Sequence, residues 1–303
     1  MLSVGENTVV VEATDAYGNR SSRTIVISRQ EQVEESDIVD VESNIPNSSY
    51  RNPDAVAVII DISRYKNSDV PNIDFANRDG QVMKEYVINV FGYSEKRIIH
   101  LTNENATLTE FRKTFEQKLS NYIKPYKTDV FVYYVGHGVP DTKTSEAYFA
   151  PYDCDPNYAK QTAFPVSQFY QELNKLPARS ITIVLDACFS GQSPSGNLVK
   201  NISAAILRIK NPIVAIPNSV VFASSGVNEI SNWLPQKKHS LFTYYFMKAL
   251  QGYADKNKDK QLTVGEIEDF LKEHVSDDAR TLNREQNPET YSVDKSRVLV
   301  KYE

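Results

Sequence analysis

The chain has 303 residues, 41% of them hydrophobic, which suffices for one large domain or two ordinary ones around a sizeable core. A net charge of −5 with no Lys/Arg-rich run speaks against a nucleic-acid surface. No apolar stretch approaches the roughly eighteen residues of a membrane helix, and two cysteines, Cys154 and Cys188, do not make a disulfide framework.

The opening residues, MLSVGENTVV, lack the basic-then-apolar layout of a signal peptide and read as a chain that begins partway through a domain. Residues 7–13 and 22–28 are β-rich runs around a turn at Asp15-Ala16-Tyr17-Gly18-Asn19, which predicts a hairpin over 1–28. A lone hairpin is marginal in water, so it is expected to pack on something or to belong to a larger sandwich. Residues 29–53 are acidic and then Asn/Ser/Pro-rich, the composition of a solvated linker.

From residue 54 the texture changes. AVAVIID (55–61), DVFVYYV (129–135), SITIVLDA (180–187) and SVVFASS (219–225) are continuous apolar runs, as buried parallel strands require. RIIHL (97–101) reads as a further strand and 147–150 as a short extended piece. Helical spacing covers 74–91, closed by Gly92, and 107–122, opened by Thr107 with Glu110 as its capping-box partner. It returns over 166–176, 240–251 and 264–274. SRVLVKY (296–302) reads as an edge strand. Strands alternating with helices predict an α/β fold with a mainly parallel sheet over 54–303. In such sheets chemistry collects beyond the carboxyl ends of the strands.

Two strand ends carry reactive side chains: Gly136-His137-Gly138 after the run ending at Val135, and Asp186-Ala187-Cys188-Phe189-Ser190-Gly191 after the next buried strand. A thiol is mostly protonated at neutral pH, and a nearby imidazole can take its proton and later return one to a leaving amine. Backbone N–H groups of Gly138 and Cys188 are the natural donors for the oxyanion. Either residue alone is ordinary, since a Cys ending a buried strand is usually a small core hydrophobe. The pair, 51 positions apart and each at a strand end, is much harder to dismiss.

From about residue 54 onward the chain resembles the caspase/metacaspase family in the pieces AVAVIIDISRY, NRDG, YYVGHG, LDACFSG, VVFASS and HSLFTYYFMKAL. A His about 50 residues before the Cys is that family's spacing. The resemblance implies a caspase-like fold and a Cys188/His137 dyad hydrolysing peptide bonds in a protein or peptide substrate. Caspases carry Gln two residues before the nucleophile. Asp186 stands there, as in metacaspases, and implies a preference for Arg or Lys at P1, the side chain before the scissile bond. Asp79 matches the second acidic pocket residue, while Asp61 has no role by the same likeness. Metacaspases often have Ser two before the His; Val135 departs from that and weakens the pocket pattern. Trp233 is expected on the rim of the cleft or as a cap on the core. The interval 190–217 is either a loop cut during maturation or an uncut excursion with its own helix over 201–209. Residues 5–28 resemble the last two strands of bacterial immunoglobulin-like repeats, which implies work outside the cytoplasm.

Residues 255–266, DKNKDKQLTVGE, place Asp255, Asn257, Asp259, Gln261 and Glu266 at the oxygen-ligand positions of an EF-hand calcium loop, with Thr263 at position 9. Lys260 replaces the sharp-turn glycine and opposes a cation. A polar turn without metal is the alternative, and the dyad chemistry needs no cofactor. Two functional classes follow: an active endopeptidase, or a caspase-fold module that is latent or silent.

Overall fold

The computed structural model describes residues 5–29, 41–141, 144, 146–189, 192–193, 196–197, 216–226 and 229–302. These fall into two units, divided between Asp40 and Val41.

The first unit holds strands β1 (Gly5–Thr14) and β2 (Arg20–Arg29), paired antiparallel from Gly5↔Arg29 to Thr14↔Arg20. Asp15 makes the turn. Its Oδ1 accepts from the Tyr17 and Asn19 amides at 2.9 Å, and Gly18 follows with φ 87°. Val10, Val11 and Val26 stay more than half exposed.

The second unit is built on a six-stranded sheet. In chain order its strands are β3 (Val56–Asp61), β4 (Ile98–Thr102), β5 (Asp129–Val135), β6 (Ser180–Asp186), β7 (Ser219–Ala223) and β8 (Glu289–Ser292). In space the order is β8-β7-β6-β5-β3-β4, all parallel except β8. The apolar runs are thus central strands covered on both faces, as continuous hydrophobicity demands.

Two groups of helices supply the cover. They are α1 (Ala76–Asn89), α2 (Leu108–Lys113), α3 (Val166–Asn174), α4 (Leu241–Lys248) and α5 (Val264–Thr281). Neighbouring side chains on β5 show the division, since successive residues of a strand point to opposite faces. The Tyr133 hydroxyl bonds Thr243 of α4 at 2.8 Å. Tyr134 sets its ring edge-on to Phe111 of α2, 6.2 Å between centroids.

The elements differ from expectation where long-range contacts outweigh local signal. After α2 the chain continues to Tyr122 in wider and tighter turns. Glu110 does not close a capping box, because its carboxylate goes to Lys113 and Lys118. Helix α5 runs to Thr281, seven residues past the expected end, and does close a capping box, Thr263 with Glu266. The expected edge strand at 296–302 forms over Val298–Lys301 but pairs with Gln261–Thr263, and the edges of the six-stranded sheet are β8 and β4. Residues 41–53, expected as linker, pack on the body: Val41 is fully buried and its carbonyl accepts from Tyr86 Oη at 2.7 Å. The expected helix at 201–209 and most of the interval 190–217 lie outside the described residues.

Gly92 ends α1 in the left-handed conformation, φ 71°, and a Cβ there would stand 2.2 Å from the Tyr50 carbonyl oxygen. Backbone cannot yield as a side-chain tip can. Gly92→Ala is therefore expected to lower stability by about 2 kcal/mol or more, from left-handed strain plus the clash, measured by urea unfolding.

Candidate active site

Strands β5 and β6 are adjacent and parallel, with Val135 opposite Asp186 in register. The chain segments that leave them therefore emerge side by side, carrying His137 and Cys188. Both side chains line one small cavity together with Asp186, Val135, Trp233, Ser231 and Ser240. Its volume is about 30 Å³, room for roughly one water molecule. A larger cavity of about 420 Å³ lies where β5 and β6 begin, lined by Asp129, Ser180 and Arg297. Size does not make it the site, because neither the thiol nor the imidazole reaches it.

His137 is held at every polar atom of its backbone. Its N–H donates to Tyr65 Oη at 2.8 Å, and its carbonyl accepts from Tyr134 Oη at 2.7 Å. The Tyr65 ring also stacks on the imidazole, 5.1 Å between centroids. Nε2 lies 2.7 Å from the Pro71 carbonyl oxygen. A carbonyl only accepts, so Nε2 must carry the hydrogen, and in the neutral ring Nδ1 is then the unprotonated nitrogen. Burial disfavours the charged ring and pushes the His137 pKa down to about 4.

Cys188 is 8% exposed. Its Sγ accepts a short hydrogen bond from the Ser231 amide. Burial outweighs that stabilisation and pushes the thiol up to about 11. At neutral pH both groups on the cavity wall are thus held neutral, the thiol protonated and the imidazole uncharged. The Gly138 amide, expected to hold the oxyanion, donates to the Cys188 carbonyl at 3.1 Å. A Cβ at Gly138 would fall 2.5 Å from that same oxygen, so only glycine permits the approach.

Asp186 and Asp79 are brought together through one residue. Ser240 donates its hydroxyl to Asp186 in a short bond and its amide to Asp79 Oδ2 at 3.0 Å. Thr243 Oγ1 also donates to Asp186, at 2.7 Å, and His239 Nδ1 lies 2.6 Å from Asp79 Oδ1. Burial raises both carboxyl pKa values, that of Asp79 to about 7. Asp186 is on the cavity wall, whereas Asp79 stands behind Ser240 and is fully buried. Trp233 is half-buried on the cavity wall, and its strand pairs with His239–Ser240, Trp233 opposite Ser240. Asp61 is structural: it ends β3 and accepts from Asn77 and Thr102 beside His100, while Gly80 leaves room for its carboxylate.

In the loop 255–266 the side chains serve the backbone. Asp255 accepts from the Lys260 amide at 3.0 Å, Asn257 from Asp259 at 2.8 Å, and Asp259 from Gln261 at 2.8 Å. Glu266 accepts from the Thr263 amide at 2.9 Å. Lys260 takes φ 65°, the conformation usually left to glycine. Among the described residues no three His, Cys, Asp or Glu side chains gather to hold a metal.

Tyr65, Pro71, Ser231, His239 and Ser240 were not singled out by sequence reasoning. Tyr65 and the pair His239-Ser240 lie inside quoted family pieces, so a signal existed. The Pro71 and Ser231 contacts are made by backbone atoms, which no side-chain pattern records.

A parallel sheet with thiol and imidazole at neighbouring strand ends defines a caspase-like fold. A family model described as the caspase domain matches residues 54–300, and the chain belongs to that family, whose members act as cysteine proteases. A search of curated proteins finds no match. Among solved structures, a protein of Geobacter sulfurreducens matches at 14% identity and TM-score 0.56, covering 83% of this chain and 100% of that one. Caspase-1 from Spodoptera frugiperda matches at 13% identity and TM-score 0.54, covering 86% and 95% respectively. These likenesses concern the fold. Among the described residues no helix is long and apolar enough to cross a membrane.

Alkylation of native Cys188 by iodoacetamide is expected to be far slower at neutral pH than in the urea-unfolded chain. The rate should rise about tenfold per pH unit up to about 11, followed by peptide mass spectrometry. Tyr65→Phe should cost about 1–3 kcal/mol in stability, because it leaves the buried His137 N–H unpaired.

Proposed function

We propose that this protein is a cysteine endopeptidase that cleaves after Arg or Lys and is latent in the conformation described. The observation that carries the reading is the single cavity shared by Cys188, His137 and Asp186. Cys188 Sγ attacks the scissile carbonyl carbon while its proton passes to His137 Nδ1, the nitrogen that the Pro71 bond leaves unprotonated. The tetrahedral oxyanion takes backbone N–H donors, those of Cys188 and Gly138. Collapse breaks the C–N bond, and the imidazolium protonates the departing amine. Water then hydrolyses the thioester and regenerates the thiol. Asp186 faces the substrate side chain, with Asp79 behind it, and two carboxylates favour a cation there.

Latency is supported by three features. The cavity of about 30 Å³ is too small for a basic side chain. The Gly138 amide is engaged by Cys188. The thiol is buried and protonated. Activation would have to widen the cavity and free that amide. Cleavage after Lys200, Arg208 or Lys210 in the interval 190–217 is one route, which the proposed specificity allows. Calcium has no part in this mechanism.

Fluorogenic peptides with Arg, Lys or Asp at P1 test the reading. Turnover of the Arg and Lys peptides by the chain once cut within 190–217, abolished in Cys188→Ala, is expected; no Cys188-dependent turnover on any peptide by the cut chain would leave a silent module, and turnover on Asp alone would reject the pocket assignment. Intact-mass measurement over time is expected to show cuts after Lys or Arg within 190–217 in the wild type and none in Cys188→Ala.

A further inference from the structure

The larger cavity lies at the far ends of β5 and β6 from the thiol and imidazole, where Asp129 and Ser180 open the two strands. Its volume of about 420 Å³ falls in the range of small-molecule sites. Part of the wall is apolar, with Val90, Phe91 and Val298. Part is charged, and there Arg179, Arg297 and Lys301 face one carboxylate, Asp129.

The two guanidinium groups are not equivalent. Arg179 is paired: its Nε donates to Asp129 Oδ1 at 2.9 Å and its Nη2 to Oδ2 in a short bond. Ser180 Oγ and Asn52 Nδ2 also donate to Asp129, at 2.6 and 2.7 Å, so that carboxylate is fully engaged. Arg297 is half-buried and, among the described residues, meets no carboxylate at ion-pair distance. Its hydrogen bonds go to neutral oxygens, Nη1 to the Asn218 carbonyl at 3.1 Å and Nη2 to Thr182 Oγ1 at 3.2 Å. Asp294, the other carboxylate near it, is exposed and accepts from the Ser296 amide and hydroxyl. Burial pulls the Arg297 pKa below its ordinary value, whereas the bond to Asp129 raises that of Arg179. A guanidinium has five N–H donors and keeps its charge in proteins. Arg297 therefore holds a positive charge and several donors that no protein acceptor meets.

Tyr93 supplies a second unsatisfied group. It is 7% exposed, and among the described residues its hydroxyl makes no hydrogen bond. The groups that act on the phenol electrostatically include Asp129, Arg297, Tyr50 and Arg179, all on the cavity wall. A buried hydroxyl left unpaired is costly, and an occupant that accepts its hydrogen removes the cost. One unneutralised guanidinium calls for one negative charge, and Asp129 nearby opposes a second. A phosphate dianion brings too much charge and leaves most of the volume empty. A carboxylate matches the planar guanidinium fork and accepts from a phenol, and a ring behind it would lie along Val90, Phe91 and Val298.

We propose that this cavity is a second binding site, remote from Cys188, for a small aromatic carboxylate whose charged end is held by Arg297 and Tyr93. The site shares no residue with the cavity around Cys188 and stands whether or not the peptidase reading does. Its walls come from both the early segment with Tyr50 and Asn52 and the late segment from Arg297 to Lys301. An occupant ties these together and should raise the melting temperature of the chain.

Calorimetric titration of the full chain with benzoate, benzamide and inorganic phosphate tests the proposal. Benzoate is expected to bind one per chain with Kd below about 1 mM. Benzamide, of the same shape without the charge, should bind at least about tenfold more weakly, and phosphate should not compete. Tyr93→Phe breaks no hydrogen bond of the free protein, so it should fold normally and weaken benzoate binding about five- to tenfold. Arg297→Gln should erase the preference for benzoate over benzamide. Absence of benzoate binding at millimolar concentration, equal binding of benzoate and benzamide, displacement of benzoate by phosphate, or unchanged benzoate affinity in Tyr93→Phe would each overturn the proposal.

Discussion

Two carboxyl groups buried within reach of one serine are the constraint on which the site depends. A buried carboxylate is tolerated only when hydrogen bonds replace its lost water. Ser240 supplies that replacement to both Asp186 and Asp79, one through its hydroxyl and one through its amide. The same residue stands at the N-terminus of α4 and opposite Trp233 in a short hairpin. Satisfying the carboxyl groups therefore fixes the start of α4, the end of β6, the flank of α1 and the wall of the cavity in one arrangement. Ser240 makes no side-chain cap for its own helix, because its hydroxyl is already given to Asp186.

A second constraint governs the imidazole. Tyr65 and Tyr134 come from different parts of the chain, yet their hydroxyls bracket the His137 backbone. Pro71 then fixes the ring nitrogens. Tyr134 can serve in this way because it is the next-to-last residue of a buried strand and points to the α2 face, while Tyr133 points to α4. The ring is held in one orientation, and burial keeps it neutral.

Much of this was legible in the sequence because local patterns carry it. Buried parallel strands are continuous apolar runs, and 55–61, 129–135 and 180–187 contain β3, β5 and β6 whole. The strand ends then drew attention to His137, Cys188 and Asp186, and the shared cavity brings all three together. What was not legible depends on distant partners. β8 is a polar four-residue strand, recognisable only by its pairing with β7. Val41 and Glu42 belong to a stretch whose composition reads as linker, but one is buried and the other is held by Arg78. The Gly138 amide was a natural oxyanion donor by position, and its bond to the Cys188 carbonyl follows from tertiary closeness that no spacing shows.

The burial of Cys188 also bears on its chemical survival. Peroxide and disulfides react with thiolate, and access governs how far a cysteine climbs the oxidation series. A cysteine 8% exposed, with its proton retained, offers oxidants almost no reactive species. The burial that keeps the thiol protonated thus also shelters it from oxidation.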